Sequence, residues 1–321
     1  MKACIHTKYG PPEVLRLTDI PKPIPKDNEL LVKIYATTVN RTDSGFRNPE
    51  YLAVRVVGGL FKPKNLVLGT ELAGEVEAIG KNVKLFKVGD KVFGLNCMVF
   101  GAHAEYICVP EEGSIALMPE GITYEEAAAS LEGPWLANTY FKKVKLRKDH
   151  KILINGATGS IGSAGVQLAK YFGAEVTATS NTKNMELIKS LGADEVIDHT
   201  KEDFTKREKL FDFVFDAVGK SSYFKCKKLL KPRGVYFSTE LGYLSQNIFL
   251  ALFTPLLGAK KVIFPIPKET KTDIEFIKDL IEHRKYKALI DRTYAFDAII
   301  EATRYVDTGQ KTGNIAIKIV P

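Results

Sequence analysis

Cysteine is scarce in this sequence of 321 residues. The four cysteines lie far apart and form no Cys-x-x-Cys pair: Cys4, Cys97, Cys108 and Cys226. Disulfide frameworks and structural zinc sites both need several cysteines at short, regular spacings, so this pattern excludes both. Because unpaired cysteines are typical of a reducing compartment, the composition predicts a cytoplasmic protein.

Long apolar runs are also lacking. The longest, Ile248–Leu257, contains Pro255 and is too short to cross a bilayer, which takes roughly 20 residues. The start of the chain leads directly into a strand-like segment, Ala3–Ile5, without the apolar region of a signal peptide. We therefore expect neither a membrane span nor export, and we expect Ile248–Leu257 to be a buried or interface segment.

Neither sign of charge is concentrated in one part of the chain. The net charge is +8 at pH 7, and the basic residues are spread along the whole sequence. A basic protein attracts anionic ligands, but a nucleic-acid-binding surface gathers its basic residues on one face. With 45% hydrophobic and 26% charged residues, the composition is that of an ordinary globular protein. We expect a small-molecule ligand and no nucleic acid.

The chain contains two regions with different sequence patterns, and its length also favours two domains. Between Leu30 and Gly121, short β-rich runs separated by Gly and Pro predict a small twisted barrel or sandwich. From Lys151 onward, strands alternate with amphipathic helices, which predicts a parallel, doubly wound sheet. The β-rich end of the chain is expected to rejoin the first domain. The predicted fold class is α/β, with one domain formed by residues 1–122 and 286–321 and the other by residues 123–285.

A glycine-rich loop separates the first strand of the second domain from its first helix. It reads Gly156-Ala157-Thr158-Gly159-Ser160-Ile161-Gly162. Small residues let the backbone approach a pyrophosphate, and the helix N-terminus offers free N–H groups to its charge. The position between a strand and a helix favours dinucleotide binding by residues 157–162 over a merely tight turn.

The end of the second strand indicates which dinucleotide binds. Proteins that bind NAD place an Asp or Glu about 20 residues after the loop to hold the ribose hydroxyls. This chain has Thr179-Ser180-Asn181-Thr182-Lys183 there, with no acid and one cation. Ser180 and Asn181 as hydrogen-bond donors and Lys183 as counter-charge suit a 2′-phosphate, so we expect NADPH, with NADH as the alternative cofactor. The alternative interpretation is that Lys183 is an ordinary solvated lysine without a ligand.

Further motifs stand in a specific order along the chain. They are Tyr9-Gly10-Pro11-Pro12-Glu13-Val14-Leu15, Val39-Asn40-Arg41-Thr42-Asp43, Leu68-Gly69-Thr70-Glu71, Val88-Gly89-Asp90-Lys91-Val92-Phe93, Ala104-Glu105-Tyr106, Ser190-Leu191-Gly192-Ala193-Asp194 and Ile290-Asp291-Arg292-Thr293-Tyr294. With the glycine loop, they resemble the zinc-free, quinone oxidoreductase group of the medium-chain dehydrogenases and reductases. The resemblance implies a GroES-like β-barrel domain interrupted by a Rossmann domain. It also implies that Val218 and Gly313 contact the cofactor.

The resemblance implies that no metal is bound. Zinc-dependent members of the family carry a ligand Cys at the position of Asn40, a ligand His at that of Thr70, and a four-cysteine lobe near residues 85–105. All of these are missing from this chain. Catalytic zinc usually takes three protein ligands, and the five histidines show no ligand spacing: His6, His103, His150, His199 and His283.

The family pattern implies catalytic roles for three residues. Asn40 would donate an amide hydrogen to the oxygen of the substrate, and Asp43 would orient Asn40 or belong to a proton path. The alternative is that Asn-x-x-Asp simply caps a turn or short helix. Trp135 stands where relatives place a Thr-Ala pair beside the nicotinamide. It either lines the substrate pocket, with its indole N–H as a donor, or is ordinary hydrophobic packing.

These features predict an NADPH-dependent oxidoreductase that transfers hydride to quinones or α,β-unsaturated carbonyls without zinc. Such reductions need hydrogen-bond donors for the developing oxygen charge, whereas oxidising an alcohol without a metal needs a strong base. The alternatives are a non-enzymatic, NADPH-bound protein that contacts a membrane or a partner, and an alcohol dehydrogenase. We expect a homodimer formed through the Rossmann domain, with Ile248–Leu257 at or near the interface.

Overall fold

The structure is a computed structural model that describes residues 1–97, 99–258 and 260–320, apart from the side chains of Ala53 and Leu257. The strands are β1 (Lys2–Ile5), β2 (Arg16–Asp19), β3 (Glu29–Val39), β4 (Glu71–Ile79), β5 (Lys91–Leu95), β6 (Tyr106–Pro110), β7 (Ile115–Leu117), β8 (Lys151–Asn155), β9 (Glu175–Ser180), β10 (Glu195–Asp198), β11 (Phe211–Asp216), β12 (Leu230–Ser238), β13 (Lys261–Ile263), β14 (Ile290–Ala295) and β15 (Asn314–Lys318). The α-helices are α1 (Arg41–Arg47), α2 (Leu52–Gly58), α3 (Tyr124–Ala129), α4 (Glu132–Val144), α5 (Ser160–Tyr171), α6 (Met185–Ser190), α7 (Tyr223–Cys226), α8 (Gln246–Leu257), α9 (Lys271–Glu282) and α10 (Ile299–Asp307). Short 3₁₀ turns lie at Pro12–Val14, Thr182–Asn184, Phe204–Lys206, Lys227–Leu229, Tyr243–Ser245 and Phe296–Ala298.

The chain divides into two compact units. Unit 1 comprises Met1–Glu132, Glu269–Arg284 and Ala288–Pro321, and unit 2 comprises Gly133–Lys268 and Lys285–Lys287. Unit 1 therefore contains α3 and α9, which the predicted boundaries at residues 122 and 286 assign to the second domain. Both helices pack on strands of unit 1, α3 on β3 and β4 and α9 on β7. A change in sequence texture shows where helices begin but not which strands they cover, so the boundaries differ.

Unit 2 is built on a six-stranded sheet in the order β10-β9-β8-β11-β12-β13. Every neighbouring pair is parallel. The order reverses between β8 and β11, and ligands of such sheets bind outside the carboxyl ends of the strands at that point. The sheet interior is apolar and aromatic: the ring centroids of Phe215 and Phe237 lie 5.0 Å apart, and both residues are fully buried. The predicted doubly wound parallel sheet is confirmed.

Unit 1 contains a sheet in the order β14-β15-β3-β4-β5-β7, with β6 also paired to β3. All pairs are antiparallel except β14 with β15. The long strand β3 serves as its centre, because it pairs with β4 along one edge and with β6 and then β15 along the other. The end of the chain therefore rejoins the β-rich domain, as the sequence predicts.

The apolar segment Ile248–Leu257 forms most of α8, with Pro255 inside the helix. α8 packs on β13, the edge strand of the parallel sheet. Several of its large apolar side chains are more than half exposed: Phe249, Leu252, Phe253 and Leu256. Among the described residues, no helix is long and apolar enough to cross a membrane.

Candidate nucleotide site and buried polar cluster

The glycine loop joins β8 to α5 in the form that a pyrophosphate requires. Gly156 has φ +81°, and a Cβ there would lie 2.2 Å from Cγ1 of Val218. A Cβ on Gly162 would lie 2.2 Å from the carbonyl oxygen of Gly156, so α5 packs directly on the turn. At Gly159, the N-cap of α5, the nearest atom to a Cβ would be 3.8 Å away. Gly156 and Gly162 thus have no space for a side chain, because other parts of the protein fill it. Gly159 has free space beside it, next to the free N–H groups of a helix N-terminus.

A hydrogen-bond network that sequence reasoning missed fixes this loop. Thr179 Oγ1 accepts from the N–H of Gly156 at 3.0 Å and donates to Asn155 Oδ1 at 2.7 Å. Asn155 Nδ2 donates to Asp216 Oδ1 at 2.9 Å, and the other oxygen of Asp216 accepts from the N–H of Ser221 at 2.8 Å. The network ties together the carboxyl ends of β8, β9 and β11. Its signal in the sequence is a polar residue at the end of each apolar strand.

The residues predicted to bind a 2′-phosphate follow the end of β9 as expected. Ser180 is the last residue of the strand, and its hydroxyl donates to the carbonyl of Asn181 at 3.0 Å. The side chain of Asn181 accepts from the N–H of Asn184 at 3.1 Å and so begins the 3₁₀ turn Thr182–Asn184. Lys183 is exposed within that turn. The structure brings the three residues together, and their contact with a phosphate stays a prediction.

One acid that the sequence reasoning missed lies beside this segment. Asp198 ends β10 and is the register partner of Ser180. Its carboxylate accepts hydrogen bonds from the hydroxyls of Thr182 and Thr200, and these bonds lower its pKa to about 2. Asp198 is therefore ionised at neutral pH. It lies at the end of β10, whereas NAD-specific proteins place the ribose-binding acid about 20 residues after the glycine loop.

Three other residues predicted for the site, two for the cofactor and Trp135 for the substrate pocket, lie in different places. Val218 follows β11 and packs on Gly156 of the loop. Trp135 lies on α4 with only 5% of its surface exposed. Gly313 belongs to unit 1, where a Cβ would lie 2.3 Å from the carbonyl oxygen of Leu289. Only Val218 is thus placed at the glycine loop within the same unit, and the cofactor contact of Gly313 stays a prediction.

Asn40 and Asp43 form a capping box at the start of α1. Asn40 Oδ1 accepts from the N–H of Asp43 at 3.0 Å, and Asp43 Oδ2 accepts from the N–H of Asn40 at 3.0 Å. Asp43 Oδ1 also accepts from the N–H of Gly69 at 2.9 Å. The amide of Asn40 donates to Thr70 Oγ1 at 2.7 Å and faces Glu71 Oε2 at 3.4 Å. The structure therefore shows the helix-capping arrangement, and the catalytic roles of both residues stay predictions.

Two buried glutamates lie against this cap. Glu71 Oε1 accepts from the N–H of Glu132 at 2.7 Å, while its other oxygen accepts from the hydroxyl of Thr38 and from Asn40. Glu132 Oε1 accepts from the hydroxyl of Thr42 at 2.5 Å. Both carboxyl groups are almost fully buried. Their positions are 61 residues apart, and no local pattern marks them as a pair.

The pKa values of both buried glutamates are raised. Burial, and then the neighbouring Glu71 carboxyl, raises the pKa of Glu132 to about 8. Burial also raises the pKa of Glu71, although three donors stabilise its ionised form. Burial lowers the pKa of Lys311, and the negative charges of Glu132 and Glu71 act in the opposite direction and raise it. With a pKa of about 8, Glu132 is protonated at neutral pH.

The residues do not fit a catalytic zinc. Within residues 1–97, 99–258 and 260–320, no group of three or more His, Cys, Asp and Glu side chains is arranged to hold a metal ion. Asn40 and Thr70, at the two positions of zinc ligands in the family pattern, are hydrogen-bonded to each other. The donors present are an amide and a hydroxyl, which are poor ligands for zinc.

Comparison with known proteins matches both parts of the chain. Residues 26–120 match the family described as alcohol dehydrogenase GroES-like domain, and residues 191–317 match the family described as zinc-binding dehydrogenase. The chain is 34% identical over 336 residues to a 2-methylene-furan-3-one reductase of Solanum lycopersicum, covering 100% of this chain and 80% of the relative. It is 30% identical over 333 residues to the chloroplastic NADPH-dependent alkenal/one oxidoreductase of Arabidopsis thaliana, with the same coverage. The solved quinone oxidoreductase of Coxiella burnetii is similar with a TM-score of 0.87 and 25% identity, covering 100% and 99% of the two chains.

Proposed function

We propose a function from one established premise: the chain belongs to the quinone oxidoreductase-like group of the medium-chain dehydrogenases and reductases. The resemblance and the fold class expected from the sequence are thereby confirmed. We infer an NADPH-dependent oxidoreductase that reduces α,β-unsaturated carbonyls or quinones without zinc. The names of the relatives support this activity, since they include an NADPH-dependent alkenal/one oxidoreductase and a quinone oxidoreductase.

The glycine loop is the observation that carries the proposal. Its open face at Gly159 and the N-terminus of α5 would hold the pyrophosphate, with Ala157, Thr158, Ser160, Ile161 and Gly162 around it. Ser180, Asn181 and Lys183 would hold the 2′-phosphate. When bound, NADPH supplies a hydride to an electron-poor carbon of the substrate.

The protein's own contribution is to stabilise oxygen charge and deliver a proton. Accepting a hydride places negative charge on the carbonyl or quinone oxygen of the substrate. We assign the donor role to Asn40, whose amide faces Glu71 only at 3.4 Å and so retains a weakly used hydrogen. Asp43 holds Asn40 through the capping box. The raised pKa of Glu132 keeps a proton available near neutral pH.

Gly159→Ala tests the cofactor site without disturbing the fold. Its φ of −74° suits alanine, and the added methyl would occupy the face proposed for the pyrophosphate. We expect NADPH binding, measured by titration calorimetry, to weaken at least 10-fold, since a lost charged hydrogen bond alone costs roughly 1.5–3 kcal/mol. Gly45→Ala, whose Cβ meets no atom within 4 Å, is the matched control.

Turnover separates the proposed enzyme from its alternatives. The native protein should reduce enones or quinones with NADPH and should oxidise simple alcohols far more slowly. Binding of NADPH without turnover of any quinone, enone, enal or enoyl thioester would favour the non-enzymatic alternative. One zinc per chain by elemental analysis, with activity lost to chelators, would favour an alcohol dehydrogenase and overturn the proposal.

The proposal includes a cytoplasmic homodimer. β13 is an edge strand, and edge strands expose unpaired backbone groups that pair readily with another chain. The neighbouring helix α8 exposes Phe249, Leu252 and Leu256, which a partner copy would cover. Light scattering at micromolar concentration tests this, and a monomer would contradict it.

A further inference from the structure

An exposed apolar surface lies on α2 and on the turn that follows it. Leu52 and Val56 are four positions apart, so they lie on the same side of the helix, and both are more than half exposed. Val57 is also more than half exposed, and the turn adds Leu60 and Phe61, of which Phe61 is 89% exposed. We call these five residues the α2 surface. Single exposed apolar side chains are common, but a contiguous group of this kind marks an interaction site.

The opposite side of α2 is attached to unit 1. Gly58 is two positions after Val56 and therefore points to the other side of the helix. A Cβ on Gly58 would lie 3.2 Å from Cδ1 of Phe46, so this side faces α1. The carbonyl of the next residue, Gly59, accepts a hydrogen bond from the hydroxyl of Tyr9. Because the helix is held from this side, Val56 points away from unit 1.

The turn after α2 is closed at its base. Gly59 has φ +122°, and a Cβ there would lie only 2.0 Å from the carbonyl oxygen of Lys62. The N–H of Lys64 donates to the carbonyl of Gly58 at 2.8 Å. Side chains other than glycine rarely adopt such a φ, so this position depends on glycine. The tight turn holds Phe61 in its exposed position.

The α2 surface carries net positive charge. Lys62 and Lys64 are exposed in the turn, and Arg55 lies on α2 itself. Within the described part of the chain, none of these three side chains forms an ion pair. Glu50 is the only acid in the sequence between residues 44 and 70. A partner that complements this surface is therefore apolar and negatively charged.

An anionic lipid bilayer has both properties. Apolar side chains insert at the boundary between headgroups and acyl chains, and lysines beside them are attracted to anionic lipids. A second copy of the chain fits less well, because a symmetric contact through this surface would bring Lys62 and Lys64 of both copies together. We propose that the α2 surface binds the protein peripherally to membranes that contain anionic lipids. Apolar quinones and enals dissolve in bilayers, so this contact would bring the proposed reductase to such substrates, although the binding itself does not depend on the proposed function.

Sedimentation with lipid vesicles tests the proposal on the native protein. One set of vesicles contains phosphatidylcholine alone, and the other contains equal parts of phosphatidylcholine and phosphatidylglycerol. We expect binding to the mixed vesicles to be at least about 10-fold tighter, since each lysine near an anionic surface adds to the attraction. Salt at about 0.5 M should weaken it, because salt screens exposed charges. Absence of binding to the mixed vesicles would overturn the inference.

Two pairs of variants locate the contact. Phe61→Ser should weaken binding to the mixed vesicles at least about 5-fold, whereas Ile24→Ser, at a side chain that is 87% exposed between β2 and β3, should bind like the native protein. Lys62→Glu should also weaken binding at least about 5-fold. Lys148→Glu changes the net charge equally, at an exposed lysine of unit 2, and should change binding less than about 2-fold. Equal losses in Lys62→Glu and Lys148→Glu, or native binding by Phe61→Ser, would show only general attraction by the net charge and would overturn the inference.

Light scattering tests the other occupant. Phe61→Ser should leave the oligomeric state unchanged, and an oligomer that dissociates in this variant would assign the α2 surface to a second copy and overturn the inference. NADPH binding, measured by calorimetry, should be the same in Phe61→Ser and the native protein, which shows that the variant is folded. If the native protein binds the mixed vesicles but not NADPH, the proposed function fails while this inference stands.

Discussion

Replacing Glu132 by Gln should make the protein more stable at alkaline pH, by an amount that grows with pH. The carboxyl group is buried, beside Glu71, with a pKa raised to about 8 from its usual 4.5. Between these two values the folded protein binds a proton that the unfolded chain has released. The free energy of unfolding therefore falls by roughly 1.4 kcal/mol per pH unit, or at most about 5 kcal/mol over the whole interval. Gln keeps the size of the side chain and an acceptor for Thr42, and it does not ionise.

The assay is urea denaturation of both proteins from pH 5 to 9, followed by circular dichroism. The advantage of Glu132→Gln should be smallest at pH 5 and should increase by a few kcal/mol up to pH 8, then level off. Glu120→Gln, at an exposed glutamate, should differ from the native protein by a constant amount within roughly 0.5 kcal/mol. A difference that stays constant with pH, or that decreases as pH rises, would refute the raised pKa of Glu132.

Three further predictions follow from the described contacts. Asn40→Ala should lower stability by about 1 kcal/mol through loss of the helix cap, and, if Asn40 also donates to the substrate, lower turnover by roughly 10- to 1000-fold, whereas Asn40→Ser should retain the cap and lose only turnover. Thr179→Val should lower stability by roughly 2–4 kcal/mol, measured by thermal denaturation, because it leaves the N–H of Gly156 and the buried oxygen of Asn155 unpaired. Lys183→Ala should weaken NADPH on the order of 10-fold or more and spare NADH, as measured by titration calorimetry, and an equal loss for both cofactors would contradict the 2′-phosphate assignment.

The parallel sheet was predictable because its strands are short apolar runs between clear breaks. β8 begins at Lys151, the residue from which the sequence predicts alternating strands and helices. α8 was not predicted as a helix, since its continuous apolar sequence has no helical periodicity and Pro255 normally ends a helix. The ends of a strand are determined by the residues next to them in the sequence. The structure of a fully apolar segment depends on which other elements pack against it.

The candidate site divides in the same way. The glycine loop was predictable from its spacing, since its chemistry is local to seven consecutive residues. The pair of Glu71 and Glu132 was not, because it depends on how β4 and the start of α4 meet in three dimensions.

The pairing of β3 with β15 has a consequence for how the protein forms during synthesis. Val39 is the register partner of Ile315, so the part of β3 from Ala36 to Val39 has no neighbour along this edge until β15 has left the ribosome. The six strands of unit 2 all lie within Gly133–Lys268, an uninterrupted stretch that is complete earlier. Contacts between such distant residues form slowly. The parallel sheet is therefore expected to fold first. Until β15 is synthesised, the β-rich unit has an unpaired strand edge. We expect this unit to be the part of the protein most prone to aggregation and most dependent on chaperones.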